Sequence, residues 1–241
     1  MVWLNWKKLR PTGLRIALIS LVFLGLVSFP VFAQSGPERL NQVEFFKRSA
    51  PTVERSFRIF EPALNSSLDV RLLSRIYHAN GSFATGWMSG ADYVAYPVLF
   101  GVPIAVWALH VGGIGVSQRD AVSMTGSWLI AAGGALVLKK VIKRSRPHVQ
   151  VPEISPKMQY AGARSLDVSA SMPSGHAAIS FALATTASLQ YPEWYVVAPS
   201  MLLASSISVS RIWLGVHYPS DVLAGATLGV SAAILVHLIN K

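Results

Sequence analysis

Ser210-Arg-Ile-Trp-Leu-Gly-Val-His-Tyr-Pro-Ser-Asp221 separates two apolar runs, Tyr195 to Val209 before it and Val222 to Ile239 after it. Tyr218-Pro219-Ser220 reads as a helix start, because proline is tolerated in the first helical turn. His217 and Asp221 then stand one turn apart. A carboxylate at that spacing can hold one imidazole nitrogen and leave the other free to attack or coordinate. Arg211, six residues before His217, supplies a planar fork suited to phosphate oxygens. The plainer reading of the same residues is a capped final span with a local His–Asp hydrogen bond.

Two further polar stretches interrupt the apolar second half of the chain. Lys139 to Pro147 reads KKVIKRSRP, and Pro173-Ser174-Gly175-His176 stands directly before another apolar run. If the basic stretch is helical, Lys139, Lys143 and Arg146 share one face while Lys140 and Arg144 turn aside. Pro147 then marks a helix stop just after Arg146. Taken alone, such a cluster anchors a helix to lipid headgroups. Ser174 is a candidate N-cap, and the free amides of a helix start bind anions. Gly175 lets the backbone come close to a ligand. Read as one site, the three stretches form an anion-binding cage with two histidines and one carboxylate. His78, His110, His148 and His237 match no motif, and of these His148 alone is near enough to assist.

Composition places this cage in a membrane. Of 241 residues 52% are apolar and 13% charged, and the mean hydropathy is +0.44. Several apolar runs approach the roughly 20 residues that cross a hydrocarbon core. The net charge of +10 comes from 21 Lys and Arg against 11 Asp and Glu. These cations flank apolar spans instead of forming a solvated stripe with interleaved aromatics, which favours anionic headgroups or phosphate-bearing substrates over nucleic acid. With no cysteine, disulfide and thiolate chemistry is excluded.

The expected order of elements follows from the runs. Ile16 to Phe29, after a basic start and before Val31-Phe32-Ala33, reads as a signal peptide or signal anchor over residues 1–33. Leu40, Val43, Phe46, Val53, Phe57, Phe60 and Leu64 make residues 34–94 an amphipathic segment on the outer face, lying on the membrane or packed on the bundle. The further spans are Tyr96–Val116, Ala121–Leu138, His176–Leu189, Tyr195–Val209 and Val222–Ile239. Ser205, Ser206, Ser208 and Ser210 make one of these polar, so neighbours should satisfy its hydroxyls. Gly225 and Gly229 form a small-xxx-small pair suited to close packing, within the chain in preference to between copies. The oligomeric state is left open. Threaded from a cytoplasmic basic end, all three polar stretches reach the outer face. The basic loop 139–165 there runs against the positive-inside tendency, which a functional need for cations would explain.

Jointly, Lys139 to Arg146-Pro147, residues 173–176, and Ser210-Arg211 through His217 to Asp221 resemble the tripartite signature of the type 2 phosphatidic acid phosphatase superfamily. Order and spacing agree over residues 95–241, with Ala177 standing where many members have Thr. The resemblance implies an all-α, polytopic membrane bundle of about six helices, or five if the first segment is cleaved. It implies His217 as a nucleophile forming a phosphohistidine, Asp221 as its orienting carboxylate and His176 as the general acid. Lys139, Arg146, Ser174, Gly175 and Arg211 would bind phosphate, with no metal and no cofactor. The implied activity is hydrolysis of a lipid phosphomonoester or pyrophosphate: phosphatidate, phosphatidylglycerol phosphate, isoprenyl pyrophosphate or lipid A phosphate. Soluble acid phosphatases and vanadate-dependent haloperoxidases share the cage, and a non-catalytic phospholipid-binding or transport protein is the rival from another class.

Overall fold

A computed structural model describes residues 67–157 and 170–240. The N-terminal segment 1–33, the stripe from Leu40 to Leu64 and most of the loop before Pro173 lie outside those residues. The described elements are helical throughout: α1 Leu68–Tyr77, α2 Ser82–Val111, α3 Gln118–Ile142, the single turn α4 Pro147–Gln150, α5 Gly175–Gln190, α6 Trp194–Trp213 and α7 Pro219–Ile239.

Local sequence accounts for the helix ends. Ser67 caps α1 by accepting from the Val70 amide at 3.2 Å. Ser117 and Asp120 close a reciprocal capping box at the start of α3. Pro219 occupies the first turn of α7, as its missing N–H allows. Helix α2 starts at Ser82, well before the expected Tyr96, so a boundary at residue 95 falls inside a continuous helix. It contains two internal prolines, Pro97 and Pro103. Pro103 cannot donate to the Leu99 carbonyl four residues back, and the Trp128 indole of α3 donates to that oxygen instead, at 2.7 Å.

Helices α2, α6 and α7 are each long and apolar enough to cross a membrane, as is α3 with the turn that follows it. Ile104, Leu136, Val137 and Leu223 are exposed on the bundle surface, where lipid chains cover such side chains. The chain is an integral membrane protein with an all-α core. Helix α5, with 16 residues, is shorter and lies at the centre. Its Ala177, Ala178, Ala182 and Ala184 are buried, as are Thr185 and Thr186.

Small residues decide how closely the helices approach. A Cβ on Gly225 would run into the Ser174 carbonyl and lie 3.0 Å from the Ala177 methyl. A Cβ on Gly229 would run into the Ala178 carbonyl and lie 2.8 Å from the Ala182 nitrogen. Helices α5 and α7 therefore touch backbone to backbone, the intramolecular use of the glycine pair. The serines of α6 bond mainly to their own helix: Ser206 to the Leu202 carbonyl at 2.8 Å and Ser210 to that of Ile207 at 2.7 Å. Trp87 of α2 also donates to the Ser206 hydroxyl, at 3.1 Å.

Both ends of the bundle are tied. At one, Gln190 donates to the Asp120 carbonyl at 3.0 Å and Asn240 to the Ser123 hydroxyl at 2.9 Å. At the other, the C-terminal ends of α3 and α6 meet the N-terminal ends of α5 and α7, with α1 packed over them through Val70 and Leu73. All three polar stretches fall at that second end. Because the α5–α7 contact leaves no room for a side chain, Gly229→Leu should lower the thermal midpoint of detergent-solubilised protein, at a cost of about 2 kcal/mol or more. Gly133→Ala, where a Cβ meets nothing within 4 Å, should leave the midpoint within experimental error in the same scan.

Candidate active site

The basic stretch reaches the site by leaving the helix. Helix α3 stops at Ile142, and Lys143 caps it in the left-handed conformation at φ 50°. The expected shared face of Lys139, Lys143 and Arg146 is therefore not formed, and Pro147 opens α4 where a helix stop was expected. Lys139, on the last turn of α3, donates to the Ala170 carbonyl at 2.6 Å. Arg146, buried in the turn, donates to the Val216 carbonyl at 2.9 Å and to that of Ala170 at 3.3 Å. Its guanidinium also stands 3.4 Å from Nε2 of His217.

The second stretch enters α5 through a cis Met172–Pro173 bond. Ser174, fully buried, caps the helix by accepting from the Ala177 amide at 3.5 Å, as its sequence position suggests. Its own amide donates to the Asp221 carbonyl at 2.9 Å, which fastens this stretch to the third. A Cβ on Gly175 would meet nothing within 4 Å, so open space lies against the helix start. His176 packs edge-on against Tyr96 with ring centroids 5.3 Å apart. Its Nε2 is buried and has no partner among the described residues, and the ring lies within electrostatic reach of Lys139 and Arg146.

The third stretch turns at Gly215, whose φ of 75° is a left-handed conformation that favours glycine. His217 follows, buried between Arg146 and Asp221. Its Nδ1 stands 3.5 Å from Oδ2 of Asp221, a contact longer and less aligned than a finished hydrogen bond. Oδ2 of Asp221 also accepts from the Ser171 hydroxyl at 2.5 Å and from the Tyr218 amide at 2.9 Å. With Asp221 on its Nδ1 side, His217 turns Nε2 toward the Arg146 guanidinium.

Arg211 does not join this group through any contact of its guanidinium. It lies in the last turn of α6, since that helix runs on to Trp213. There it is buried in an ion pair with Asp92 of α2. Arg144, expected to turn aside, instead reaches Asp221. Four residues of this end, Asp69, Asp92, Arg144 and Ser171, were not expected from the motifs. A carboxylate inside an apolar helix was the available signal for Asp92. Ser171 and Asp69 carry no local signal.

Asp69, Asp92 and Asp221 are each answered by an arginine, and Lys139 and Arg146 lie within electrostatic reach of both histidines. The arrangement suits an anion with charge on several oxygens, seated by cations and helix-start amides. The family model described as the PAP2 superfamily matches residues 120–241. A bacitracin transport permease protein of Bacillus licheniformis is 33% identical over 95 residues, 38% of this chain and 41% of that protein. The decaprenylphosphoryl-5-phosphoribose phosphatase of Mycobacterium tuberculosis is 32% identical over 116 residues, 45% of this chain and 59% of that protein. The chain thus spans about half the length of these two relatives. The crystal structure of LpxE from Aquifex aeolicus shares the fold, with a TM-score of 0.59 at 22% identity, covering 71% of this chain and 96% of the other.

Burial pushes the His217 imidazole down to about 3, helped by Arg146 and Lys139 and opposed by Asp221. An unfolded histidine titrates near 6.5, so below about that pH the unfolded chain takes up a proton that the folded site refuses. Stability tied to this neutral ring is whole above about pH 6.5 and is lost as the pH falls toward 3. Thermal scans between pH 7.5 and 4.5 should show a falling midpoint, with a shallower slope in His217→Gln.

Proposed function

The chain belongs to the PAP2 superfamily, and from that premise we propose that it is a metal-independent membrane phosphatase acting on a lipid phosphomonoester or pyrophosphate. The observation that carries this reading is the placement of His217, with Nδ1 toward Asp221 and Nε2 beside the Arg146 guanidinium. Nε2 attacks the phosphorus as the bond to the leaving oxygen breaks, and His176 gives that oxygen a proton. Water then gives a proton back to His176 as its oxygen attacks the phosphohistidine, and the P–N bond breaks to release phosphate and the free imidazole. Lys139, Arg146 and the Ser174–Gly175 helix start hold the phosphoryl oxygens. Arg211 joins them by giving up part of its contact with Asp92. Phosphoryl transfer needs chiefly such positioning and charge stabilisation, which fixed cations and amides supply in place of a metal ion.

Phosphatidate, phosphatidylglycerol phosphate, isoprenyl pyrophosphate and lipid A phosphate all present the group this cage fits. The mycobacterial relative is named for a prenyl-lipid phosphate, which puts isoprenyl substrates first in the panel. The site opens on the outer face, a placement supported by the threading of the spans and by the cluster of all three stretches at one end. Four candidate membrane spans among the described residues set the chain apart from soluble acid phosphatases and haloperoxidases. The Bacillus relative carries the name of a transport permease, so binding without turnover is the second reading.

Purified protein should release phosphate from at least one lipid of the panel, and His217→Ala should lower that rate by about a thousandfold or more while expression and membrane insertion hold. EDTA should leave the rate nearly unchanged, and vanadate should inhibit. Phosphate release by none of the four lipid classes, with a lipid still bound, would favour the transport reading.

A further inference from the structure

Arg144 stands outside every group assigned so far, yet it touches the carboxylate behind the nucleophile. Its Nη1 donates to Oδ1 of Asp221 at 2.7 Å and to the Ser220 hydroxyl at 2.6 Å. Its Nη2 donates to Oδ2 of Asp69, on the first turn of α1, at 2.6 Å. The guanidinium face lies 4.1 Å from the centre of the Tyr218 ring. Asp69 is fastened in turn, accepting from the Ser220 amide at 3.0 Å and from its hydroxyl at 2.5 Å. One carboxylate of α1 thus serves the exposed amide of α7 and also grips the arginine that grips Asp221.

The two oxygens of Asp221 have separate duties. Oδ2 faces His217, Ser171 and the Tyr218 amide, while Oδ1 faces Arg144 and is turned away from the imidazole. Asp221 is wholly buried, whereas the Arg144 and Asp69 side chains are 27% and 22% exposed. The bridge therefore runs from a dry carboxylate out to a half-wet one. Asp69, Arg144 and Asp221 together carry a formal charge of −1, which repels a phosphate and makes Arg144 a poor seat for one. A bidentate guanidinium is instead a rigid strut between two carboxylates.

We propose that Arg144, held by Asp69, is a positioning residue for the His217–Asp221 pair. It fixes the rotation of the Asp221 carboxylate so that Oδ2 stays toward Nδ1 of His217, and it makes α1 a part of the site. The inference rests on the reading of His217 as the nucleophile. Its sequence signal is faint, because Arg144 sits among five other basic or imidazole groups between Lys139 and His148 and Asp69 is 75 residues away.

The test uses the full chain in detergent with farnesyl pyrophosphate as probe. Arg144→Gln and Asp69→Asn should each lower kcat by about tenfold or more with KM within about twofold. Arg144→Lys should recover little, since an ammonium cannot bridge both carboxylates. The double variant Asp69→Asn/Arg144→Gln should be no slower than Arg144→Gln alone. A rise in KM at constant kcat would make Arg144 a substrate contact, and multiplying losses in the double variant would break the chain from Asp69; either overturns the proposal. Nitrogen-15 spectra of the histidines give a second readout that needs no turnover. The His217 ring resonances should move in both single variants while the thermal midpoint stays above the working temperature. Unmoved resonances in folded Arg144→Gln would overturn the positioning role, even if farnesyl pyrophosphate proved not to be a substrate.

Discussion

A carboxylate with no access to water sits at the mouth of a membrane bundle, and its charge has to be met by protein. Asp221 is fully buried, and an isolated ion there would cost several kcal/mol or more. Its oxygens are met by Arg144, the Ser171 hydroxyl and the Tyr218 amide, with the His217 imidazole 3.5 Å away and poorly aligned. Those partners come from the turn after α3, the loop before α5 and the turn between α6 and α7. Meeting one charge therefore draws together the ends of the helices that build the core.

The helix ends suit this convergence. Helix α5 starts at the site, α7 starts beside it with its Ser220 amide held by Asp69, and α3 and α6 bring cations on their last turns, the sign that a helix C-terminus favours. The close α5–α7 contact makes it possible, since the Ser174 amide and the Asp221 carbonyl can bond only if Gly225 lets the two helices touch. A core of alanine, glycine, serine and threonine thus sets the distance between two signature motifs.

Electrostatic pairing also distinguishes the cations of this end. Asp92 holds Arg211 in a buried pair, so an anion that recruits Arg211 must compete with a carboxylate. Arg144 is shared between two carboxylates and offers a phosphate little. Lys139 donates to the Ala170 carbonyl, and Arg146 to those of Val216 and Ala170. Both lie within electrostatic reach of His176 and His217.

The motifs and the hydropathy of the chain determined the helical membrane fold, the Ser174 cap, the start of α7 and the pairing of His217 with Asp221. These depend on residue type and short spacing, which a linear chain displays. Helix ends were harder, because the apolar pattern of α2 begins inside a segment whose earlier part is polar, and the break at Lys143 is a backbone choice with no proline or glycine to mark it. Only the tertiary structure decided that Arg144 reaches Asp221, that Asp69 and Asp92 join the site, and that Arg211 is occupied. Ion pairs between helices depend on which end and which face meet in space, and neither distance is written in the order of residues.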